Sequence, residues 1–178
     1  MLERTAPIDT PKHSFKNFDE ARKWAKENIV GTYRNDDTGE DIYISKTTIE
    51  KYTSESAIQK SVSKDVHLST LKKLPVTIKT AVLKETKKDR VNNPHIVEIQ
   101  RLYGAIKYED KIYLVKITVK VTRREGNRAY SYEVMEKENP GQSPGNLPER
   151  TPGDRIPKSA VDLPRATGFS DSNSKGTI

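Results

Sequence analysis

Two histidines in the central part of the chain, His67 and His95, are the side chains best suited to proton transfer at neutral pH. Imidazole titrates near pH 6.5, so either residue could serve as the acid or the base of a reaction. Metal-free cleavage of RNA needs both roles, together with cations near the phosphate as negative charge builds up. A lone histidine is more often structural or exposed than functional. Neither residue is expected in the apolar core.

Lysines at two places could supply the cations. Lys46 directly follows a predicted strand, and Lys51 comes about one helical turn later. Lys116, Thr118 and Lys120 alternate along another predicted strand, so all three should share one face on rigid backbone, where lysines can clamp a phosphate. An ordinary solvated sheet face has the same pattern, and both interpretations stay open. The candidate catalytic residues are therefore His67, His95, Lys46, Lys116 and Thr118.

The chain carries an excess of positive charge, with 32 Lys and Arg against 25 Asp and Glu and a formal net charge of +7. Residues 60–92 alone hold nine basic and three acidic residues, which localises most of this excess. Such a patch attracts a polyanion, and RNA is favoured over DNA because tyrosines on a predicted sheet can stack on bases. Those tyrosines, which packing beneath helices explains equally well, are Tyr103, Tyr108, Tyr130 and Tyr132. The candidate nucleic-acid contacts are Lys51, Lys72, Lys73, Lys79, Arg90, Arg101, Tyr103 and Lys120.

Several classes of chemistry lack the residues they need. With no cysteine, the chain has no disulfide, thiol nucleophile or cysteine-based zinc site, and its histidines are too far apart in sequence to form a helical ligand pair. The acidic turn 35–39 does not fit a calcium loop, because Arg34 and Ser45 would occupy the first and twelfth positions. No phosphate-binding glycine loop or serine-hydrolase motif is present. We therefore expect no metal and no cofactor.

Composition divides the chain into three parts. Residues 139–178 hold six of the ten prolines and five of the nine glycines, a composition that cannot bury enough apolar surface to offset chain entropy. The predicted organisation is a flexible N-terminus (1–13), one domain (14–138) and a disordered tail rich in Pro, Gly and Ser (139–178). The polar first 15 residues, and the absence of any apolar run of about 18 residues, predict a cytoplasmic chain with no membrane contact.

The first half of the predicted domain is mainly helical. Asn17 should cap a helix that runs to Ile29, and a short hairpin should follow at 31–34 and 41–45. Further short helices are predicted at 47–52 and 65–74. A third begins at Pro75 and carries Ile78, Ala81 and Val82.

A three-stranded meander at 95–107, 111–122 and 128–137 is predicted to end the domain. Its middle strand alternates between apolar and basic positions, so one face should be core and the other exposed. The positions predicted to be buried are Tyr113, Val115, Ile117, Val119 and Val121. The predicted fold class is α+β, with N-terminal helices packed on one face of a mainly antiparallel sheet that ends in this meander.

Characteristic motifs follow one another along residues 14–137. They are the runs 18–26 and 31–39, Ile44-Ser-Lys46 with Ile49 and Lys51, Leu71-Lys-Lys-Leu-Pro75, Asp89-Arg90 and Arg101-Leu-Tyr103. In type and order they resemble a large polyvalent protein-associated domain, a family found within long multidomain proteins of phages and conjugative elements. This resemblance covers the whole predicted domain, and it implies a closing hairpin like 111–120.

Helices packed on a four-stranded antiparallel sheet are also similar to the superfamily of barnase-like, EndoU-like, colicin-like and RelE-like ribonucleases. This second similarity is one of topology, and a fold does not carry its chemistry with it. Many relatives have a histidine where this chain has Gln100, which argues against catalysis. Two functions stay open. One is a mobile-element-associated domain that binds nucleic acid or a protein partner, such as an immunity protein, without catalysis; the other is a metal-independent ribonuclease-like toxin or effector.

Overall fold

The computed structural model describes residues 6–12 and 15–137, which confirm the α+β class with four helices and seven strands. In chain order the elements are β1 (Ile8–Thr10), α1 (Phe18–Asn28), β2 (Gly31–Arg34), β3 (Asp41–Ile44), α2 (Lys46–Tyr52), α3 (Glu55–Gln59), α4 (Lys64–Thr80), β4 (Val82–Lys87), β5 (Ile96–Tyr108), β6 (Lys111–Thr122) and β7 (Gly126–Glu136). The predicted tail, 139–178, lies outside the described residues. None of the helices in the described ranges is long and apolar enough to cross a membrane.

One mixed sheet contains all seven strands of the described chain, in the order β1-β5-β6-β7-β3-β2, with β4 also paired to β5. The predicted meander β5-β6-β7 is antiparallel throughout. Two pairs, β1 with β5 and β3 with β7, are parallel, so the sheet is mixed rather than purely antiparallel. Strand β1 comes from the segment expected to be flexible, and there Ile8–Thr10 pair with residues 106–108 of β5.

Strand β6 has the predicted alternation. Tyr113, Val115, Ile117 and Val119 are buried against the helices, whereas Val121, near the end of the strand, is only partly buried. The intervening positions of β6 turn away from the helices, as a period of two requires.

Helix α4 runs without a break through Pro75, so the predicted separate helices at 65–74 and from Pro75 onward are one element. A proline inside a helix costs about 3 kcal/mol, mainly through a lost hydrogen bond and a steric clash. Leu74 and Ile78 are fully buried, and each contributes about 2 to 3 kcal/mol by leaving water. Apolar burial on both sides of the proline therefore outweighs its cost.

Two other elements differ from the predicted pattern. The short helix α3 was not predicted, because five residues are too few to show a helical period. Ala81 leaves the helical conformation with a ψ of 144°, and Val82 begins strand β4 instead of continuing a helix. Pairing with Tyr103 and its neighbours on β5 supplies the backbone partners that make this stretch a strand.

The hairpin turn between β2 and β3 closes the end of α4. The buried Asn35 amide donates to the carbonyls of Ile78 at 2.6 Å and Ala81 at 2.8 Å, while its oxygen accepts from the Thr38 N–H at 2.9 Å. These bonds satisfy carbonyls that a helix end otherwise leaves without partners. Asp37 also accepts from the N–H of Leu83, so the turn holds α4 and β4 together.

At Gly104 strand β5 lies close against α4, and this glycine provides a test of the packing. A Cβ at this position would lie 2.8 Å from Cγ2 of Thr77, a distance that forces the helix or the strand to move. We expect Gly104→Ala to lower the free energy of unfolding by about 1–3 kcal/mol, measured by urea denaturation. Thr77→Ser removes the methyl group, and in the double variant it should restore much of the lost free energy of unfolding.

The matched control is Gly31→Ala, whose Cβ would meet nothing closer than 3.6 Å. Equal losses in both single variants would contradict the argument.

Candidate nucleic-acid interface

A cleft of about 270 Å³ opens at one end of the sheet, between the start of α2, the loop before β5, the end of β6 and the start of β7. Three residues singled out in the sequence line it: Lys51, His95 and Lys120. Tyr130, one of the four tyrosines considered as base-stacking residues, forms part of its wall. We call this site the cleft.

A bulge in β7 places Tyr130 in the cleft. The β6–β7 register passes from Thr118 paired with Ser131 to Val119 paired with Ala129, so Tyr130 is the extra residue on β7. Bulges re-aim side chains and commonly occur near functional sites. Here the extra residue lies beside α2, at a position that strand alternation does not predict.

Two lysine ammonium groups contact the ring of Tyr130. Lys120 Nζ lies 3.7 Å from the ring centroid and Lys51 Nζ lies 4.1 Å from it. The two nitrogens are thus no more than about 8 Å apart, the sum of those distances. Neither lysine has an acidic partner within ion-pair distance in the described chain. Both charges are therefore available to an anion.

Hydrogen bonds at the start of α2 hold Lys51 in this position. Ser45 caps the helix in a reciprocal arrangement with Thr48, and the Thr48 hydroxyl donates to the carbonyl of Ala129 at 2.9 Å. This last bond ties α2 to β7 next to the bulge. Lys51, one turn further on, consequently reaches the ring of Tyr130.

His95 lies in the cleft on the loop that leads into β5, and its side chain is exposed. The loop is held at three points: the His95 N–H donates to Asn93 at 3.0 Å, the Arg123 N–H donates to the His95 carbonyl at 3.0 Å, and the Arg123 side chain donates to Pro94 at 3.0 Å. The imidazole is thus anchored through its backbone while its ring faces solvent. The ring is therefore accessible to a molecule bound in the cleft.

Sequence reasoning missed two charged residues of the cleft, Glu125 and Arg128. They form an ion pair of 2.9 Å across the β6–β7 turn. The Nε of Arg128 is buried and has no acceptor among the described residues, so this guanidinium keeps an unused donor beside the cleft. Glu125 lies in the turn and Arg128 near the start of β7, in a stretch with the pattern of an ordinary polar hairpin, and no spacing in the sequence identifies them.

The sheet face turned away from the helices carries the remaining strand candidates, and acidic residues neutralise it. Lys116 pairs with Glu133 at 2.6 Å. Arg101 pairs with Glu85 at 2.9 Å, and the Tyr103 hydroxyl donates to the same carboxylate at 3.1 Å. The Lys87 ammonium, followed by the Tyr103 hydroxyl and Arg101, lowers the pKa of Glu85. Thr118 lies between these pairs, opposite Arg101 on β5 and Ser131 on β7.

The structure separates the other candidates from the cleft. Lys46 is exposed at the first position of α2 but does not line the cleft. Lys72, Lys73 and Lys79 lie along α4, where Lys72 contacts aromatic rings. Arg90 is exposed in the loop between β4 and β5. The basic segment 60–92 therefore contributes no residue to the lining of the cleft.

His67 is buried in the core, contrary to the expectation that it lies outside it. Its ring stacks on Tyr132 with a centroid distance of 4.2 Å, Nδ1 is 2.8 Å from the Ser61 hydroxyl, and Nε2 is 2.8 Å from the carbonyl of Tyr52. A carbonyl only accepts, so Nε2 carries the proton and Nδ1 accepts from Ser61. With both nitrogens engaged, His67 holds α4 to its neighbours and has no access to a substrate.

Among residues 6–12 and 15–137, no three acidic or histidine side chains are grouped so that they could hold a metal ion. The residues gathered in the cleft are instead mainly cations, hydroxyls, an amide and one exposed imidazole, with Glu125 as the one carboxylate of the described lining.

Residues 14–130 match the family model described as large polyvalent protein-associated domain 3. The match covers nearly all of the described domain. No curated protein and no solved structure matches the chain. The similarity to ribonucleases therefore remains a prediction from topology.

The burial of His67 predicts that acid destabilises the fold. Burial lowers the pKa of His67 to about 4, against 6.5 for the free side chain, and the hydrogen bond to Tyr52 offsets only part of this shift. Between these values the unfolded chain binds more protons than the folded one. Stability is therefore fully present above pH 6.5 and declines as the pH falls toward 4, by about 3 kcal/mol from this residue.

The measurement is the free energy of unfolding by urea at several pH values. His67→Leu should be less stable at pH 7 and should lose this part of the pH dependence, whereas His95→Ala, an exposed control, should keep it. A wild-type profile that does not differ from that of His67→Leu between pH 4 and 6.5 would contradict the burial of a neutral imidazole.

Proposed function

The chain belongs to the large polyvalent protein-associated domain 3 family, and on that basis we propose that it serves a mobile genetic element by binding nucleic acid through the cleft. Single-stranded RNA is the class of ligand we assign to it, and no reaction is required. The basic character of the domain supports this assignment, because a positive field draws a polyanion to the surface.

The observation that carries the proposal is the pair of unneutralised ammonium groups on Tyr130. An ammonium over an exposed ring gains only about 0.5–1 kcal/mol, so these contacts position the lysines without consuming their charge. Lys116 and Arg101, in contrast, already have carboxylate partners, which a phosphate would have to displace. A phosphate therefore gains more at the two cleft lysines than at Lys116 or Arg101.

The shape and lining of the cleft favour a single strand. A cavity of about 270 Å³ accommodates about one nucleotide and no duplex. Thr47 and Asn93, both exposed at the cleft, offer a hydroxyl and an amide to a ribose or a base edge. A 2′-hydroxyl is both donor and acceptor, so polar groups of this kind distinguish RNA from DNA.

Charge reversal in the cleft tests this binding. Lys51→Glu and Lys120→Glu should each weaken binding of a fluorescently labelled single-stranded RNA by about tenfold or more, since each replaces an attraction by a repulsion. Each lost contact should also reduce the slope of log affinity against log salt by about 0.7. Fluorescence anisotropy at several salt concentrations measures both quantities.

The matched control is Lys84→Glu, an equal charge change at an exposed position of β4, outside the cleft. It should alter affinity by much less than the two cleft variants. Affinity that ignores salt between about 50 and 200 mM would argue against a polyanion ligand and for docking to a protein.

A metal-independent ribonuclease is the second candidate, favoured by the presence of His95 beside Lys51, Lys120 and Glu125 in one cleft. In such a reaction the ribose 2′-oxygen loses its proton and attacks phosphorus, the bond to the 5′-oxygen breaks, and that oxygen takes up a proton. The Glu125 carboxylate would accept the first proton and protonated His95 would supply the second, while the lysines stabilise the charge on the phosphate. His67, buried, has no part in this version.

Incubation of the purified chain with a mixed RNA pool in EDTA tests this second candidate. If the cleft is catalytic, EDTA should leave cleavage unchanged, products should end in 2′,3′-cyclic phosphate, and His95→Ala should lower the rate by about a hundredfold. The anisotropy assay serves as control, because the variant should still bind RNA. Equal trace cleavage by wild type and variant would exclude catalysis and leave the binding domain.

A further inference from the structure

Two carboxylates lie close together where the turn before β3 reaches strand β5. Gln100 Nε2 donates to Oε1 of Glu98 at 2.9 Å and to Oε2 of Glu40 at 3.3 Å. The Asn127 amide donates to the same Glu40 oxygen at 2.6 Å. We call these four residues the carboxylate–amide cluster.

Strand pairing brings the four side chains together. Glu98 and Gln100 are two residues apart on β5, so their side chains lie on one face of the sheet. Val121 of β6 pairs with Glu98 on one side and with Asn127 of β7 on the other, which continues the row across three strands. Glu40 reaches this row from the residue just before β3, a strand that pairs with the start of β7. Because the four residues come from separate segments, no spacing in the sequence reveals the cluster.

The two carboxylates have no basic partner within ion-pair distance in the described chain, although the chain carries a formal net charge of +7. Their contacts with Gln100 limit the distance between Glu40 Oε2 and Glu98 Oε1 to about 6.2 Å, the sum of the two hydrogen-bond lengths. Two negative charges at this distance repel each other. The amides orient the carboxylates but are themselves neutral, so the pair attracts a cation.

The buried oxygen of Gln100 is an independent indication of a ligand. Gln100 is only 5% exposed, and its Oε1 has no hydrogen-bond donor among the described residues. A half-turn about the last side-chain bond exchanges this oxygen with Nε2, and that torsion is broad and roughly two-fold. Oε1 then faces both carboxylates. One buried polar atom of the amide is without a partner before and after the half-turn, so the rotation adds no further unpartnered group.

We propose that the carboxylate–amide cluster binds a calcium ion, with oxygen atoms of all four side chains as ligands. Ca²⁺ takes about six to eight carboxylate, amide and water oxygens at about 2.3–2.6 Å in flexible arrangements. Two oxygens bound to one Ca²⁺ are at most about 5 Å apart, so small side-chain movements are enough to close the pair around the ion. Mg²⁺ requires shorter bonds and a nearly ideal octahedron, which side chains from separate segments fit less well.

The proposed calcium site goes beyond the proposed function of the cleft. None of its four residues belongs to the described lining of the cleft. Glu40 is exposed and Glu98 is partly buried, which gives the ion a path from solvent. With only two carboxylates, the site should have a dissociation constant of about 10⁻⁴–10⁻³ M. A bound ion would join β5, β7 and the segment before β3, and it would stabilise the folded state by mass action.

Calcium titration of the full chain tests the proposal. The melting temperature, followed by circular dichroism, should rise by several degrees in about 10 mM CaCl₂ and by less in the same concentration of MgCl₂. Isothermal titration calorimetry should give one saturable site for Ca²⁺. A melting temperature that does not respond to calcium, or responds more to magnesium, would overturn the assignment.

Three variants locate the ion at the cluster. Glu40→Gln and Glu98→Gln should each weaken calcium binding by about tenfold or more, because each removes a charge that attracts the ion. Gln100→Glu should strengthen calcium binding by about tenfold and lower the melting temperature in its absence, since a third carboxylate adds both attraction and repulsion. A purely structural role of the Gln100 hydrogen bonds predicts no such gain in affinity.

The matched control is Glu136→Gln, an equal charge change at the exposed end of β7 far along the strand from Asn127. It should leave calcium affinity unchanged. Equal loss of affinity in Glu136→Gln and Glu98→Gln would show that calcium binds to the surface without a site, and would overturn the proposal. A lysine-rich peptide that binds in a Glu98-dependent way, in a chain that does not bind calcium, would assign the carboxylates to a protein partner instead. Because the cleft shares no residue with the cluster, each of these results leaves the test of RNA binding unaffected.

Discussion

Hydrogen bonds along the outer edge of β7 hold the helical segment against the sheet. Strand β3 pairs only with the start of β7, so the backbone further along needs other partners. Side chains and backbone of the helical segment supply them: the Thr48 hydroxyl donates to Ala129, the Val62 N–H donates to Val134, and the Ser61 hydroxyl accepts from Val134. These bonds hold the helices along the sheet, which sets α2 beside the bulged tyrosine.

The lysines on the sheet of this basic domain differ mainly in the side chains that they contact. On the outward face of β6, Lys116 pairs with Glu133 of the neighbouring strand. Lys120, four residues further along β6, instead contacts the ring of Tyr130. The difference arises beside the irregular strand pairing: Lys120 keeps Arg128 as its cross-strand partner, and the bulge adds the ring of Tyr130 next to its ammonium group. Lys120 therefore has an aromatic neighbour where Lys116 has an acidic one.

Local pattern predicted much of this fold and little of its site. The Asn17 cap, the first helix and the alternation of β6 follow from residue types and spacing, and the structure has all three. The continuity of α4 through Pro75 and the burial of His67 depend on neighbours distant in sequence, which no local period reports. The same holds for the cleft, since the bulge that aims Tyr130 is a property of strand pairing and not of either strand alone.

Binding and catalysis require different properties of the residues in the cleft. Binding needs only free cations and a surface for sugar or base, and the lysines on Tyr130 meet that need as they stand. Catalysis needs two proton-transfer groups in opposite protonation states. Glu125 already pairs with Arg128, and this ion pair favours the charged carboxylate over a protonated one. A reaction in which Glu125 took up a proton would therefore have to give up that ion pair, whereas binding requires no such change.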